Sequence, residues 1–330
     1  MNNDNISRDN EILNAGIYYI KQYYKESEFY DGDRSPFYQT CVKNCKKANC
    51  TLDGEFLPKA AEMQDTWSRL LFWGCRDECR YNCMWRTVSG FQERGYDIPK
   101  FHGRWPFRRL FGIQEPASAF ASLLNLAMHM YMYFDMYQDL PMKRIPILVP
   151  FWHIFAILCM NAWVWSAIFH TRDFFFTEFM DYACATSVIM AMFLSSLVRV
   201  TYKQKRFTLF LVSSTLLFYA DYVLYLYQGK TDYEYNMRTN IVFGVLGSLL
   251  WVSWGAYQIV KYKYYVWRIF AFLFLTLVTL SLEIFDFPPI YGWDAHALWH
   301  LSTAPLPVLL YRFVVDDIKQ VQKEEFDKMA

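Results

Sequence analysis

Ser166, His170, Asp181, His296 and His300 have the types and spacings of a hydrolytic metal site. Ser166 and His170 are four residues apart, as are His296 and His300, so on helices each pair shares one face about a turn apart. Three imidazoles from two helices can give zinc three nitrogen ligands and leave a fourth position for water, as catalytic rather than structural sites do. Such an ion lowers the pKa of water toward about 7. A carboxylate beside it, for which Asp181 is the candidate, could act as general base and pass the proton to the leaving group. Ser166 could hydrogen-bond that water or stabilise the oxyanion formed when an ester carbonyl is attacked. The plainer alternative is that a His-x-x-x-His pair is a weak signal alone, and that polar residues near helix ends face the membrane interface.

The elements that must position these residues are hydrophobic. The 330 residues are 54% hydrophobic and 20% aromatic with a net charge of +1, which implies no basic surface for nucleic acid. Apolar windows long enough to span a bilayer fall at 116–137, 146–169, 180–200, 207–228, 240–260, 267–287 and 295–315. The fold class expected is therefore an all-α membrane protein, a seven-transmembrane-helix bundle behind an N-terminal cysteine-rich, disulfide-bonded luminal domain. With the amino terminus luminal, the cytosolic side collects Lys143, Arg144, Arg199, Lys203, Lys205, Arg206, Lys261, Lys263 and Arg268, and the luminal loops only Arg172, Lys230 and Arg238. Enrichment of Lys and Arg on the cytosolic side favours that orientation; Arg104, Arg108 and Arg109 before the first span dissent. It puts Ser166, His170, Asp181, His296 and His300 at one membrane level, an agreement that the charge count did not require.

Four segments follow: a polar segment 1–36, a cysteine-rich luminal domain 37–114, the seven-span domain 115–317 and a solvated cytosolic tail 318–330. Cys41, Cys45, Cys50, Cys75, Cys79 and Cys83 form an even cluster that reads as three disulfides in an oxidising compartment, with pairing open; short Cys spacings also suit a metal. Met1 to Thr40 is too polar to contain the apolar core of a signal peptide, so either the true start differs or the first span translocates the domain ahead of it. Asn5-Ile6-Ser7 and Asn49-Cys50-Thr51 match the glycosylation acceptor pattern, a weak signal. His129, His153 and Asp221 read as interhelical hydrogen-bond partners. Glu283 could orient a ligand histidine or simply face solvent.

Several strings then carry a resemblance. Cys75-Arg76-Asp77-Glu78-Cys79, Phe101-His102-Gly103-Arg104-Trp105-Pro106-Phe107, Gln114-Glu115-Pro116-Ala117-Ser118, Asn161 to Ser166, Phe169 to Asp173, Met180-Asp181-Tyr182 and Asp286 to His300 occur in order over residues 37 to 318. In these the chain resembles the post-GPI-attachment to proteins factor 3 family of the CREST superfamily. The resemblance implies a GPI-specific phospholipase A2 removing the sn-2 acyl chain of GPI anchors in the Golgi, with the endoplasmic reticulum the alternative compartment. Its partners would be GPI-anchored proteins and their lipid in the luminal leaflet, and its cofactor zinc. The superfamily pattern maps onto Ser166 and Asp181 as catalytic residues and onto His170, His296 and His300 as metal ligands. The rival readings are a ceramidase-like lipid amide hydrolase, a non-catalytic seven-helix receptor or scaffold, and a transporter, which would want charges near the midplane of several helices.

Overall fold

The computed structural model of the chain describes residues 32–140, 148–228 and 233–328 and divides into two units, Met1–Gly112 and Ile113–Ala330. The Asn5 acceptor triplet, Lys143, Arg144 and Lys230 lie outside the described residues.

The first unit is built on α1 (Pro36–Asn49) and α4 (Cys75–Glu93), with two short helices, α2 (Pro58–Glu62) and α3 (Thr66–Leu70), between them. Proline in the first turn starts α1 and α2, while the Asp65 carboxylate caps α3 by accepting from the Ser68 N–H at 3.0 Å. Cysteines one turn apart on each long helix face each other, and the bonds run Cys41 to Cys83, Cys45 to Cys79 and Cys50 to Cys75. Partners ascend one helix as they descend the other, which makes α1 and α4 antiparallel. All six sulfurs are thus covalently paired and none is available as a metal thiolate. Tyr38, Val42, Val88 and Phe101 pack around Cys83. The dissenting arginines are absorbed by this unit: Arg109 pairs with Glu78 at 2.7 Å and lies over the Trp73 ring, and Arg108 lies over Trp85.

The second unit contains α5 (Pro116–Asp139), α6 (Leu148–Thr171), α7 (Phe175–Thr201), α8 (Lys205–Tyr227), α9 (Tyr233–Val260), α10 (Trp267–Phe285), α11 (Ala295–Thr303) and α12 (Leu306–Phe326). Among the described residues, six segments are long and apolar enough to cross a bilayer: α6, α7, α8, α9, α10 with the turn before it, and α11 with α12 taken together. The first expected window is a helix of 24 residues, α5, but it is not among those six. Its inward face carries Ser118, Ser122, Asn125 and His129, all buried, and these polar residues lower its hydropathy. Large apolar side chains on α8 and α10, such as Leu217 and Leu277, are exposed, as a surface facing lipid requires. The last window also differs from expectation, because Pro305 interrupts it and α12 then continues to Phe326 with Ile318 and Val321 buried. Residues 318–326 therefore pack instead of trailing as a tail.

The core of this unit gathers Trp152, Phe155, Trp251 and Phe313. Trp251 meets Phe313 edge-on at 5.3 Å. Beside it, the Asp317 carboxylate, 2% exposed, accepts from Arg199 Nε at 2.5 Å, Arg199 Nη2 at 2.9 Å and Tyr265 Oη at 2.7 Å. These three bonds tie α7 and the turn before α10 to α12. Asp317→Ala would strand the Arg199 charge, and losing one partner of a buried pair costs about 3–5 kcal/mol. A lowered thermal midpoint of the purified protein is expected, and an unchanged midpoint would show that the pair does not hold these helices together.

Candidate metal centre at the helix ends

His170 occupies the last turn of α6, and His296 and His300 the first two turns of α11. The α11 turn begins where the Asp294 side chain accepts from the Ala297 N–H at 2.9 Å. Burial pushes the Asp294 carboxyl above its ordinary range. The three imidazoles converge: ring centroids lie 4.5 Å apart for His296 and His300, 5.1 Å for His170 and His300, and 5.2 Å for His170 and His296. One ring nitrogen from each lies within 4.8 Å of the others.

Two carboxylates stand behind this group, Glu115 buried and Glu283 half-buried. His170 Nδ1 is 2.6 Å from Glu115 Oε2, and His296 Nδ1 is 2.8 Å from Glu283 Oε2. Glu115 is the residue before α5, and backbone bonds hold it there: its N–H donates to the His170 carbonyl at 2.9 Å, and the Gln114 N–H donates to that of Thr171 at 3.0 Å. Glu283 lies in the last turn of α10. A carboxylate on Nδ1 fixes the tautomer and ring angle and leaves Nε2 as the free lone pair, the usual support of a metal-ligating histidine.

The donor set fits a divalent ion. Nε2 of His296 and Nε2 of His300 approach to 2.9 Å, and His300 Nδ1 is buried without a hydrogen-bond partner. Buried imidazoles whose lone pairs converge repel unless a proton or cation lies between them. Three neutral nitrogens suit zinc and several other first-row ions.

Ser166 lies one turn before His170 and is buried. Its Oγ is 3.0 Å from Ser122 Oγ, and Ser122 donates to the Ser118 carbonyl at 2.8 Å. A hydroxyl has one proton, so Ser166 donates to Ser122 and keeps its lone pairs free. Asp181 is half-buried in the second turn of α7, one turn before Cys184. The structure thus gathers His170, His296 and His300 at one point and adds Glu283, which sequence had left between two roles. Glu115 had received no role; the signal was an acid at the cap position directly before Pro116, at the mouth of a helix. Of the other polar positions, His129 Nδ1 meets Tyr311 Oη at 3.1 Å and His153 Nε2 meets the Leu140 carbonyl at 3.1 Å. Asp221 is exposed and not buried between helices.

A multi-pass helical membrane protein with a histidine and carboxylate cluster, partly buried, at its helix ends is the class that fold and site define. Comparison with known proteins narrows it: the Per1-like family model matches residues 66–318, and the chain belongs to that family. It is 42% identical over 291 residues to Post-GPI attachment to proteins factor 3 of Drosophila melanogaster, covering 86% of this chain and 88% of the relative. It is 39% identical over 292 residues to the GPI-specific phospholipase A2-like PGAP3 of Danio rerio, covering 87% and 90%. Identity to the human protein of the same name is 37% over 303 residues, covering 90% and 92%. No solved structure matches the chain.

Glu115→Gln keeps the shape of the His170 partner and removes its charge. Loss of such a supporting carboxylate is expected to weaken binding of a divalent ion about 10–100-fold, read by chelator competition on purified protein with unchanged helical content. Unchanged affinity would reduce Glu115 to a packing role.

Proposed function

We propose that this chain is a GPI-specific phospholipase A2 that hydrolyses the sn-2 acyl ester of GPI anchors during fatty-acid remodelling, with zinc held by His170, His296 and His300. The observation that carries the reading is the convergence of the three imidazoles, two of them backed by carboxylates at 2.6 and 2.8 Å. The printed names of the relatives, GPI-specific phospholipase A2-like among them, supply the substrate class.

Zinc bound there would supply Lewis acidity toward an ester carbonyl and bring the pKa of water to about 7. The chain does the rest. Glu115 and Glu283 hold the His170 and His296 rings so that each presents Nε2 inward. Asp181 accepts the proton of the attacking water and returns it to the leaving alcohol. Ser166, with free lone pairs, receives a hydrogen bond from that water, or turns its proton from Ser122 to the oxyanion.

On this reading α5 is the seventh span, running beside α6 with its polar face turned inward. The amino terminus is luminal and the carboxyl terminus cytosolic, in the Golgi or the endoplasmic reticulum. The three disulfides favour an oxidising lumen for the first unit. Arg199, Lys203, Lys205, Arg206, Lys261, Lys263 and Arg268 cluster at the helix ends assigned to the cytosol. GPI anchors in the luminal leaflet then meet the histidine end of the bundle, and GPI-anchored proteins are the partners.

Metal analysis of purified protein, joined to fatty-acid release from a GPI substrate, tests this. Native protein is expected to carry about one zinc per chain and to release fatty acid, and the His296→Ala, His300→Ala double variant to lose both. Asp181→Asn is expected to keep zinc and lose about 10²–10⁴-fold in rate, the usual contribution of a positioned acid–base group. Folded native protein without zinc after supplementation would overturn the mechanism. Zinc without turnover would favour a receptor or scaffold, and turnover of ceramide in place of GPI would move the assignment to an amide hydrolase.

A further inference from the structure

A cavity of about 260 Å³ lies among α5, α6, α7, α9, α10, α11 and α12. It abuts the histidine group. Trp163, which lines it, meets the His300 ring at 5.2 Å, and two more lining residues bond to the His300 carbonyl: Asn125 Nδ2 at 2.6 Å and Thr303 Oγ1 at 2.8 Å. From Trp163 the wall descends α6 to Phe155, and from Thr303 it descends to Leu310 on α12. At 1.5 Å per residue this is a depth of roughly 12 Å away from the histidine level.

The polar groups on the wall are mostly spent within the protein. Asn125 Nδ2 also donates to the Ala121 carbonyl, Thr276 Oγ1 donates to the Phe272 carbonyl, and His129 Nδ1 is engaged by Tyr311. Apolar side chains such as Val188, Met192, Phe243 and Leu273 complete the lining. An occupant here is offered burial and almost no hydrogen bonding, which selects a hydrocarbon chain over water or a polar head.

Two glycines on α9 divide the labour. A Cβ at Gly247 would come within 3.0 Å of the Phe193 backbone, so that glycine serves close packing of α9 on α7. A Cβ at Gly244, also on the cavity wall, would meet nothing within 4 Å. Packing therefore does not ask for glycine at this position, and a larger side chain could grow into the void.

We infer that this cavity is the pocket for the fatty acyl chain being released and that the open space beside Gly244 sets how long a chain it admits. The inference rests on the proposed lipid hydrolase reading for its link to turnover, but not for binding. The chain lies down the bundle with its carboxyl end at the histidines. Gly244→Phe fills the void from α9, and Ile189→Phe fills it from α7 should the first variant not fold; Val245→Phe, whose native side chain is exposed on the outer face of α9, is the control.

Purified protein in nanodiscs is photolabelled with a diazirine-bearing palmitate, and adducts are mapped by mass spectrometry. Labelling on Met192, Phe243 or Leu273 is expected in native protein and in Val245→Phe. It should fall about 10-fold or more in the filled variants, the scale on which apolar pockets discriminate by size. Fatty acids released by the filled variants should shift toward shorter chains. Palmitate labelling confined to the outer lipid-facing surface, or equal interior labelling in folded Gly244→Phe and Ile189→Phe, overturns the pocket. Interior labelling that the filled variants abolish upholds it even if native protein hydrolyses nothing, a result that would overturn only the hydrolase reading.

Discussion

The contact between Glu115 and His170 is the constraint around which the membrane unit is arranged. A carboxylate that is only 7% exposed is costly to bury unless something compensates it. Here the compensation is an imidazole at 2.6 Å, while Glu115 and Gln114 also donate their N–H groups to the final carbonyls of α6. Those carbonyls would otherwise lack partners at a helix end. One short segment thus caps α6, starts α5 and fixes the ring of His170, so that the register of the first two helices and the aim of one imidazole follow from the same bonds. Asn125 extends the constraint from α5 to α11 through the His300 carbonyl. The three histidines are consequently positioned by backbone as well as side-chain bonds, which is what holds a site within the small tolerances that chemistry demands.

The far end of the bundle supplies the opposing anchor. Pro305 separates α11 from α12, and α12 is held by Asp317 receiving three bonds from Arg199 and Tyr265. Between the two anchors run the aromatic core around Trp251 and the apolar cavity. The division is physically sensible: the ionic groups lie toward the two ends, where they pair, and the middle is mostly apolar, crossed by neutral hydrogen bonds such as those of His129 with Tyr311 and Trp251 with Ser195. A chain whose only internal polar positions were midplane charges would read as an ion path; Glu115, Glu283 and Arg199 lie at helix ends instead.

Much of this was legible because spacing survives folding. Histidines four apart on a helix must share a face, and cysteines one turn apart on two helices are suited to paired bridges, so both sets could be found before any coordinates. What spacing cannot carry is partner choice. The antiparallel order of the bridges depends on how α1 meets α4, and Glu115 becomes a partner of His170, 55 positions away, only once α5 and α6 pack. The residues after Val315 misled because their charges suggest a solvated tail, whereas Asp317 is paid for by Arg199 across the bundle and Ile318 is fully buried. Likewise α5 reads as a span by its window, yet its inward serines, asparagine and histidine keep its composition more polar than that of its neighbours.

Ser166 illustrates how a hydrogen-bond chain can choose between chemical roles that sequence leaves equal. Its neighbour Ser122 has a single proton and gives it to the Ser118 carbonyl one turn back, a common arrangement for serine in a helix. Ser122 can then only accept from Ser166 at 3.0 Å, and the Ser166 oxygen is left with unshared electron pairs in a buried setting. In this arrangement it is an acceptor, suited to orienting a water by taking one of its protons. Serving as donor to an oxyanion would require breaking the bond to Ser122 and leaving that buried oxygen without its donor, at a cost of about 1–3 kcal/mol. Under the proposed hydrolase reading, the order of the chain Ser166 to Ser122 to Ser118 therefore favours a serine that prepares the nucleophile over one that stabilises the developing charge.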